Sequence, residues 1–184
     1  KAGPKSPNTP HATLWSYLGL SQREKGEGKN AVKSLEKATA LEPSNPSFRV
    51  NLSYAYLRNR QVNRSQAEAK KVIELDPKRL TAYYLLGIGY LAERKFGEAE
   101  QEAERLLSID PTYPEGHILK SDAVIGRLGI LLEKGDDDLN ISNELQKAFE
   151  ILKKGEEASR SNPNHDRIVK LLEPLQAFVD YYKN

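Results

Sequence analysis

ATLWSYLGLSQREKGEGKNAVKSLEKATALEPSN runs from Ala12, PSFRVNLSYAYLRNRQVNRSQAEAKKVIELDPKR from Pro46, and LTAYYLLGIGYLAERKFGEAEQEAERLLSIDPTY from Leu80. Set under one another, the three stretches stay in register. Pro43, Pro77 and Pro111 fall 34 residues apart, as do Leu18, Leu52 and Leu86. Small residues recur at Ala31, Ser65 and Ala99, and apolar ones at Ala38, Val72 and Leu106. The apolar positions in the first half of each stretch keep the i, i+3, i+4, i+7 rhythm of one helical face, and those in the second half make a matching stripe on a second helix. The small residues let the two helices approach closely. The proline after each second helix cannot continue it and opens the turn. Asn45–Pro46 supplies a cap followed by proline at the first helical position, as does Thr9–Pro10, while Tyr113–Pro114 has the proline without the cap. One such hairpin cannot bury its own apolar face, whereas stacked hairpins share a continuous core.

These residues resemble the tetratricopeptide repeat (TPR) family. The first stretch matches with Trp15, Leu18, Gly19, Ala31, Leu35, Ala38 and Pro43, and the third with Tyr83, Leu86, Gly87, Tyr90, Ala99 and Pro111. The second keeps Leu52, Tyr56 and Pro77 but carries Arg49 where the pattern has a bulky residue and Ser53 where it has Gly. The resemblance implies an all-α, right-handed α-α superhelix (a TPR solenoid) in which the first helices line a concave groove that binds other polypeptides.

Residues 1–9 read as a linker and 10–184 as a single TPR domain, with repeats at about 12–45, 46–79 and 80–113. A divergent hairpin then spans 114–163. It has 49 residues between Pro114 and Pro163, against 31 between Pro46 and Pro77, an excess of 49 − 31 = 18. The expectation is a long helix over 114–133, a loop over GDDDLN at 135–140, and a second long helix, each helix gaining about two turns at 3.6 residues per turn. The last hairpin should therefore project beyond the others. Apolar residues at Ile168, Leu171, Leu172, Leu175, Phe178, Val179 and Tyr182 predict an amphipathic terminal helix over 165–182, capping the array and kinked at Pro174.

The rest of the sequence mainly excludes. Among 184 residues, 28 basic and 26 acidic side chains are interspersed and leave a net charge of +2, so no nucleic-acid footprint stands out. There is no Cys, which removes disulfides, thiolate metal sites and cysteine nucleophiles. No apolar run approaches membrane-spanning length. His11, His117 and His165 follow no metal-ligand spacing, and His117, at the site of Trp15 and Tyr83 in the earlier repeats, reads as a packing residue. The acidic loop at Asp136, Asp137, Asp138 and Asn140 fails as a calcium loop, with Ile141 where Gly is required and Lys147 where Glu is required. No phosphate loop or nucleophile elbow occurs, so no cofactor, no metal and no enzymatic activity are expected. The chain starts at Lys1 and contains no Met, so it reads as a piece of a longer product. The sequence does not assign a compartment.

The resemblance assigns the groove-lining positions. They are apolar and aromatic here: Leu20, Val50, Asn51, Tyr54, Leu57, Tyr84, Leu85, Ile88, Leu91 and Ile118. TPR domains that bind a chaperone C-terminal carboxylate place Lys, Asn and Arg where this chain has Ser16, Leu20, Asn51, Thr81 and Leu85. Only Asn51 matches, and the cationic donors are missing. The expected partner is therefore a protein or peptide offering an amphipathic helix or an apolar extended segment. The alternatives are self-association through the long fourth hairpin or the last helix, giving a homodimer, and service as the non-catalytic region of a larger enzyme.

Overall fold

The computed structural model describes residues 9–135 and 138–183. Among these, nine helices follow one another and no strand occurs: α1 (Thr9–Glu24), α2 (Gly28–Leu41), α3 (Pro46–Arg58), α4 (Val62–Leu75), α5 (Leu80–Ala92), α6 (Phe96–Ile109), α7 (Pro114–Lys134), α8 (Asp138–Ala158) and α9 (Asp166–Lys183). The chain forms two compact units, one up to Gly89 and one from Tyr90 onward.

In the first unit, α1 pairs with α2 and α3 with α4, and α3 stacks on α2. The pairing depends on small residues. A Cβ on Gly19 would lie 2.6 Å from Leu35 Cγ, so only glycine lets α1 settle on α2 here. The second hairpin solves the same close approach with hydroxyls. Ser53 Oγ, fully buried, donates to Ser65 O at 2.9 Å and sits 3.0 Å from Ser65 Oγ. The departure from glycine at Ser53 is thus matched by a serine across the helix pair, and no buried polar atom is left over. Asn45 caps α3 through its side-chain oxygen, which accepts from Ser47 N at 3.0 Å and Phe48 N at 3.4 Å, and Pro46 holds the first helical position.

The turns inside the regular hairpins repeat as faithfully as the helices. Gly26, Arg60 and Arg94 all adopt left-handed backbone, with φ of 77°, 58° and 58°. Their spacing is again 34 residues. Arginine is disfavoured there, at a cost of roughly 1–2 kcal/mol relative to its ordinary conformations. Glycine removes that cost but loses about 0.5–1 kcal/mol of chain entropy on folding. Arg60→Gly should therefore stabilise the chain by up to about 1 kcal/mol in urea unfolding, the turn geometry being unchanged.

In the second unit, α7 packs on α6, α8 pairs with α7, and α9 packs on α8 with a lesser contact to α7. This is the relation of α3 to α2 and α1, so α9 takes the place of the first helix of a fifth hairpin. The elongation lies where the excess residues put it: α7 and α8 have 21 residues each, against 13 and 14 in α3 and α4. One boundary differs from expectation. Residues 138–140 begin α8 rather than end the loop; 136 and 137 lie outside the described residues. The α7 end is set by Gly135 in left-handed backbone, whose N–H caps the last turn. α9 is continuous through Pro174. The unit's core gathers Ile118, Leu128, Leu145, Leu152, Ile168 and Val179 from all three of its last helices. Between α6, α7 and α8, Glu100 accepts from Arg127 at 2.6 Å, and Arg127 also lies 3.5 Å from Glu144.

Candidate binding groove

The repeat-matched residues Arg49, Tyr83 and His117 differ in type yet do one job. Each hydrogen-bonds the carbonyl of the proline six residues earlier: Arg49 Nε to Pro43 O at 2.6 Å, Tyr83 Oη to Pro77 O at 2.8 Å, and His117 Nε2 to Pro111 O at 2.9 Å. A carbonyl can only accept, so His117 carries its proton on Nε2. Burial lowers the His117 pKa below the ordinary histidine value, and the proline carbonyl only partly opposes this. Its ring lies against Gly155, where any Cβ would stand 2.5 Å from Cγ of the imidazole. His117 therefore joins two helices and a turn, and Arg49 is further held by Glu68 at 2.5 Å.

The ten expected groove residues divide. Within the first unit, Tyr54 is exposed at 39%, with the Arg23 guanidinium 5.1 Å from its ring centre. Leu20, Val50, Leu57, Tyr84 and Ile88 are half-buried. Asn51 is also half-buried, and its Nδ2 lies 3.5 Å from Ser16 Oγ. Leu85 is buried and gives a partner no surface. Within the second unit, Leu91 is half-buried, and Ile118 is enclosed in the core that α9 completes.

That same core helix creates a different surface. Where the added turns of α7 and α8 run beside α9, they enclose an apolar groove of about 700 Å³. Ile125, Leu128 and Leu132 come from α7, Ile141 and Leu145 from α8, and Leu171, Pro174, Leu175, Ala177, Phe178, Tyr181 and Tyr182 from α9. None of the twelve carries a charge. Leu128, Ile141, Leu145 and Leu175 form the buried floor, while Ile125, Leu132, Leu171, Phe178 and Tyr181 are exposed at its rim, Phe178 at 59% and Tyr181 at 75%. On α9 the exposed residues Leu171, Pro174, Phe178 and Tyr181 follow the helical rhythm of one face, adjacent to the face that Ile168, Leu175 and Val179 bury. A contiguous apolar surface of this kind marks an interaction site.

Toward the start of α7 the surroundings are polar. Glu115, buried, accepts from Arg167 Nη1 at 2.6 Å and from Asn164 Nδ2 at 3.0 Å, which ties α9 and the turn before it to α7. Two helical turns further on, burial pushes the Asp122 carboxyl up to about 6, and the nearby Arg167 opposes the shift only in part.

The tetratricopeptide repeat profile matches residues 50–114. Over these residues the chain is similar to the tetratricopeptide repeat family. The peroxisomal targeting signal receptor of Yarrowia lipolytica is 34% identical over 64 residues, which cover 35% of this chain and 11% of that receptor. The chain thus spans about a tenth of that relative's length. Among solved structures, the MamA protein aligns over 96% of this chain and 87% of its own, at 18% identity and a TM-score of 0.66. The first TPR domain of Spaghetti, bound to the HSP90 peptide SRMEEVD, aligns over 62% of this chain and 91% of its own, at 22% identity and a TM-score of 0.60. The shared fold is the all-α TPR solenoid. No described helix is long and apolar enough to cross a membrane.

Proposed function

We propose that this chain is a protein-binding module, without catalytic activity of its own, whose receptor surface is the α7–α8–α9 groove and whose ligand is the apolar face of an amphipathic helix. The observation that carries the reading is the groove's lining, twelve apolar or tyrosine side chains with five bulky ones left at the rim. A helix presenting residues at i, i+3, i+4 and i+7 would bury them there without desolvating a charge. Tyrosines at the rim suit such a site, since each covers a large area and keeps a wet hydroxyl.

A fluorescent, charge-free amphipathic peptide of about four helical turns at 3.6 residues per turn is the probe. Leu132→Glu with Phe178→Glu should weaken its binding at least about tenfold, or 1.4 kcal/mol, in anisotropy titrations. Both positions are exposed, so thermal stability should hardly change. Unchanged affinity in that folded double variant would refute the reading. A second surface is favoured by the exposed Tyr54 ring in the first unit; Tyr54→Glu with Tyr84→Glu should leave affinity unaltered, and a loss there would move the site to α3 and α5. The peptide SRMEEVD, which Spaghetti holds, should not bind this chain: Leu20, Thr81 and Leu85 stand where a carboxylate needs cationic or amide donors. Saturable binding of that peptide in the same assay would contradict the assignment.

A further inference from the structure

We propose that the helix seated in this groove is α1 of a second copy of the chain, so that copies join head to tail. The proposal rests on the reading of the groove as a helix receptor and names its occupant.

Described large apolar side chains left in solvent fall mainly into two clusters. One is the groove rim. The other is on α1: Leu14 at 65%, Tyr17 at 67% and Leu18 at 43% exposed. The remainder, Tyr54, Leu75, Ile109 and Val169, stand on four different helices. The α1 stripe is uncovered for a structural reason. The repeat counterparts of Leu14 and Leu18 are Phe48 and Leu52 on α3, both buried, where α2 supplies the covering residues Leu35 and Ala38; the counterpart of Tyr17 is the half-buried Asn51. Among the described residues no helix lies over Leu14 and Leu18 as α2 lies over Phe48 and Leu52.

Charge selects α1 over the second helices of the repeats, and exposure selects it over α5, which is also uncharged but leaves no large apolar side chain in solvent. From Pro10 to Gln22 there is no Asp, Glu, Lys or Arg. The groove lining has none either. The exposed faces of the second helices bear charges that would be desolvated on entry: Lys33 and Lys37 on α2, Lys70 and Lys71 on α4, Glu104 and Arg105 on α6. Shape sets the geometry. α1 offers a ridge and the α7–α9 surface a groove, so the joint pairs unlike surfaces, which yields closed rings of two or more copies or open chains. The α9 rim from Leu171 to Tyr181 runs about 15 Å at 1.5 Å per residue, long enough for the Leu14–Leu18 segment of about 6 Å. Three large side chains bury at most roughly 750 Å², since even aromatic ones contribute about 150–250 Å² each. That is below the about 800 Å² per partner of a stable interface, so each joint is weak and reversible.

Complementation of two variants of the full chain tests this in sedimentation velocity. Leu14→Glu with Leu18→Glu spoils the ridge and leaves the groove; Leu132→Glu with Phe178→Glu does the reverse. All four positions are exposed, and circular dichroism melting checks that both variants fold. The wild type should show mass rising with concentration past the dimer or to a ring, each variant alone should remain monomeric, and their equimolar mixture should form a one-to-one dimer and nothing longer. A labelled peptide of residues 9–24 should bind the wild type and the ridge variant but not the groove variant. A wild type that associates while the mixed variants stay monomeric would overturn the proposal, as would a ridge variant that self-associates like the wild type. A monomeric wild type that ignores the 9–24 peptide would also overturn it. Binding of the charge-free model peptide in that last case would leave the groove as a receptor for another protein's helix, whereas failure of both peptides would remove both readings.

Discussion

Arg167→Ala should cost about 3 kcal/mol of stability at neutral pH, the size expected when one partner of a buried ion pair is removed. Glu115 is 5% exposed and its Oε1 takes both hydrogen bonds from the α9 side, from Arg167 and Asn164. Its Oε2 is buried without a hydrogen-bond partner. Without the guanidinium, a buried carboxylate keeps one amide donor. Arg167 itself is half exposed on its other side, which tempers the loss. For a chain of this length, 1 kcal/mol moves the melting temperature by about 2–4 °C, so a fall of about 6–12 °C is expected. Glu115→Gln with Arg167→Ala should recover part of it, because the amide removes the unpaired charge. A melting temperature unchanged in Arg167→Ala would mean that α9 is held by its apolar face alone.

Asp122→Asn should act in the opposite direction and in a defined pH window. The folded-state pKa of Asp122 is raised from 3.8 to about 6 by burial. A raised carboxyl pKa means that the ionised form is disfavoured in the folded chain. The penalty is therefore fully present above pH 6, shrinks as pH falls through 6, and is gone below the unfolded value near 4. A shift of about two units corresponds to an upper limit of about 3 kcal/mol, and partial exposure reduces the expected gain to about 1–2 kcal/mol. Urea unfolding at pH 8 should show the asparagine variant more stable by that amount, and at pH 4 the two chains should coincide. An equal gain at both pH values would assign the effect to packing rather than to charge.

The two substitutions meet in one place. Arg167 lowers the cost of keeping Asp122 ionised, so its loss should push Asp122 further toward the protonated form, and the Arg167→Ala deficit should narrow as pH falls toward 5.

Local rules made much of this architecture legible. The 34-residue rhythm of Pro43, Pro77 and Pro111 locates every regular hairpin, because a proline acts on the residues beside it whatever the distant fold does. Asn45–Pro46 announces the start of α3 for the same reason. The 18-residue excess locates the long hairpin, since extra length without a helix breaker must extend the helices. Other features had a sequence signal of lower contrast. Arg60 and Arg94 share a register with Gly26, but arginine does not advertise left-handed backbone. Arg49, Tyr83 and His117 share a register too, yet their common hydrogen bond to a proline carbonyl joins residue types that composition would separate.

The groove illustrates what periodicity leaves out. The family pattern directs attention to the first helices of the regular repeats, where Leu85 is buried and Val50, Tyr84 and Ile88 are only partly open. It also treats Leu18 as a core residue, although the covering helix that buries Leu52 has no described counterpart over Leu18. The added turns of α7 and α8 imply a projection when taken alone. They form a groove because α9 lies beside them, and α9 is placed by Ile168, Leu175 and Val179 sharing a core with α7 and α8 residues some 16 to 61 positions earlier in the chain. Such contacts depend on tertiary packing, which neither helical rhythm nor turn chemistry encodes.

Methyl-resolved NMR of the isoleucine and leucine side chains, titrated with the charge-free amphipathic peptide, tests the central claim most directly. Ile125, Leu132 and Leu171 should shift together and saturate on one binding curve, while Leu20 and Leu57 stay in place. Saturable shifts confined to Leu20, Leu57 and Ile88, or none anywhere, would contradict the account.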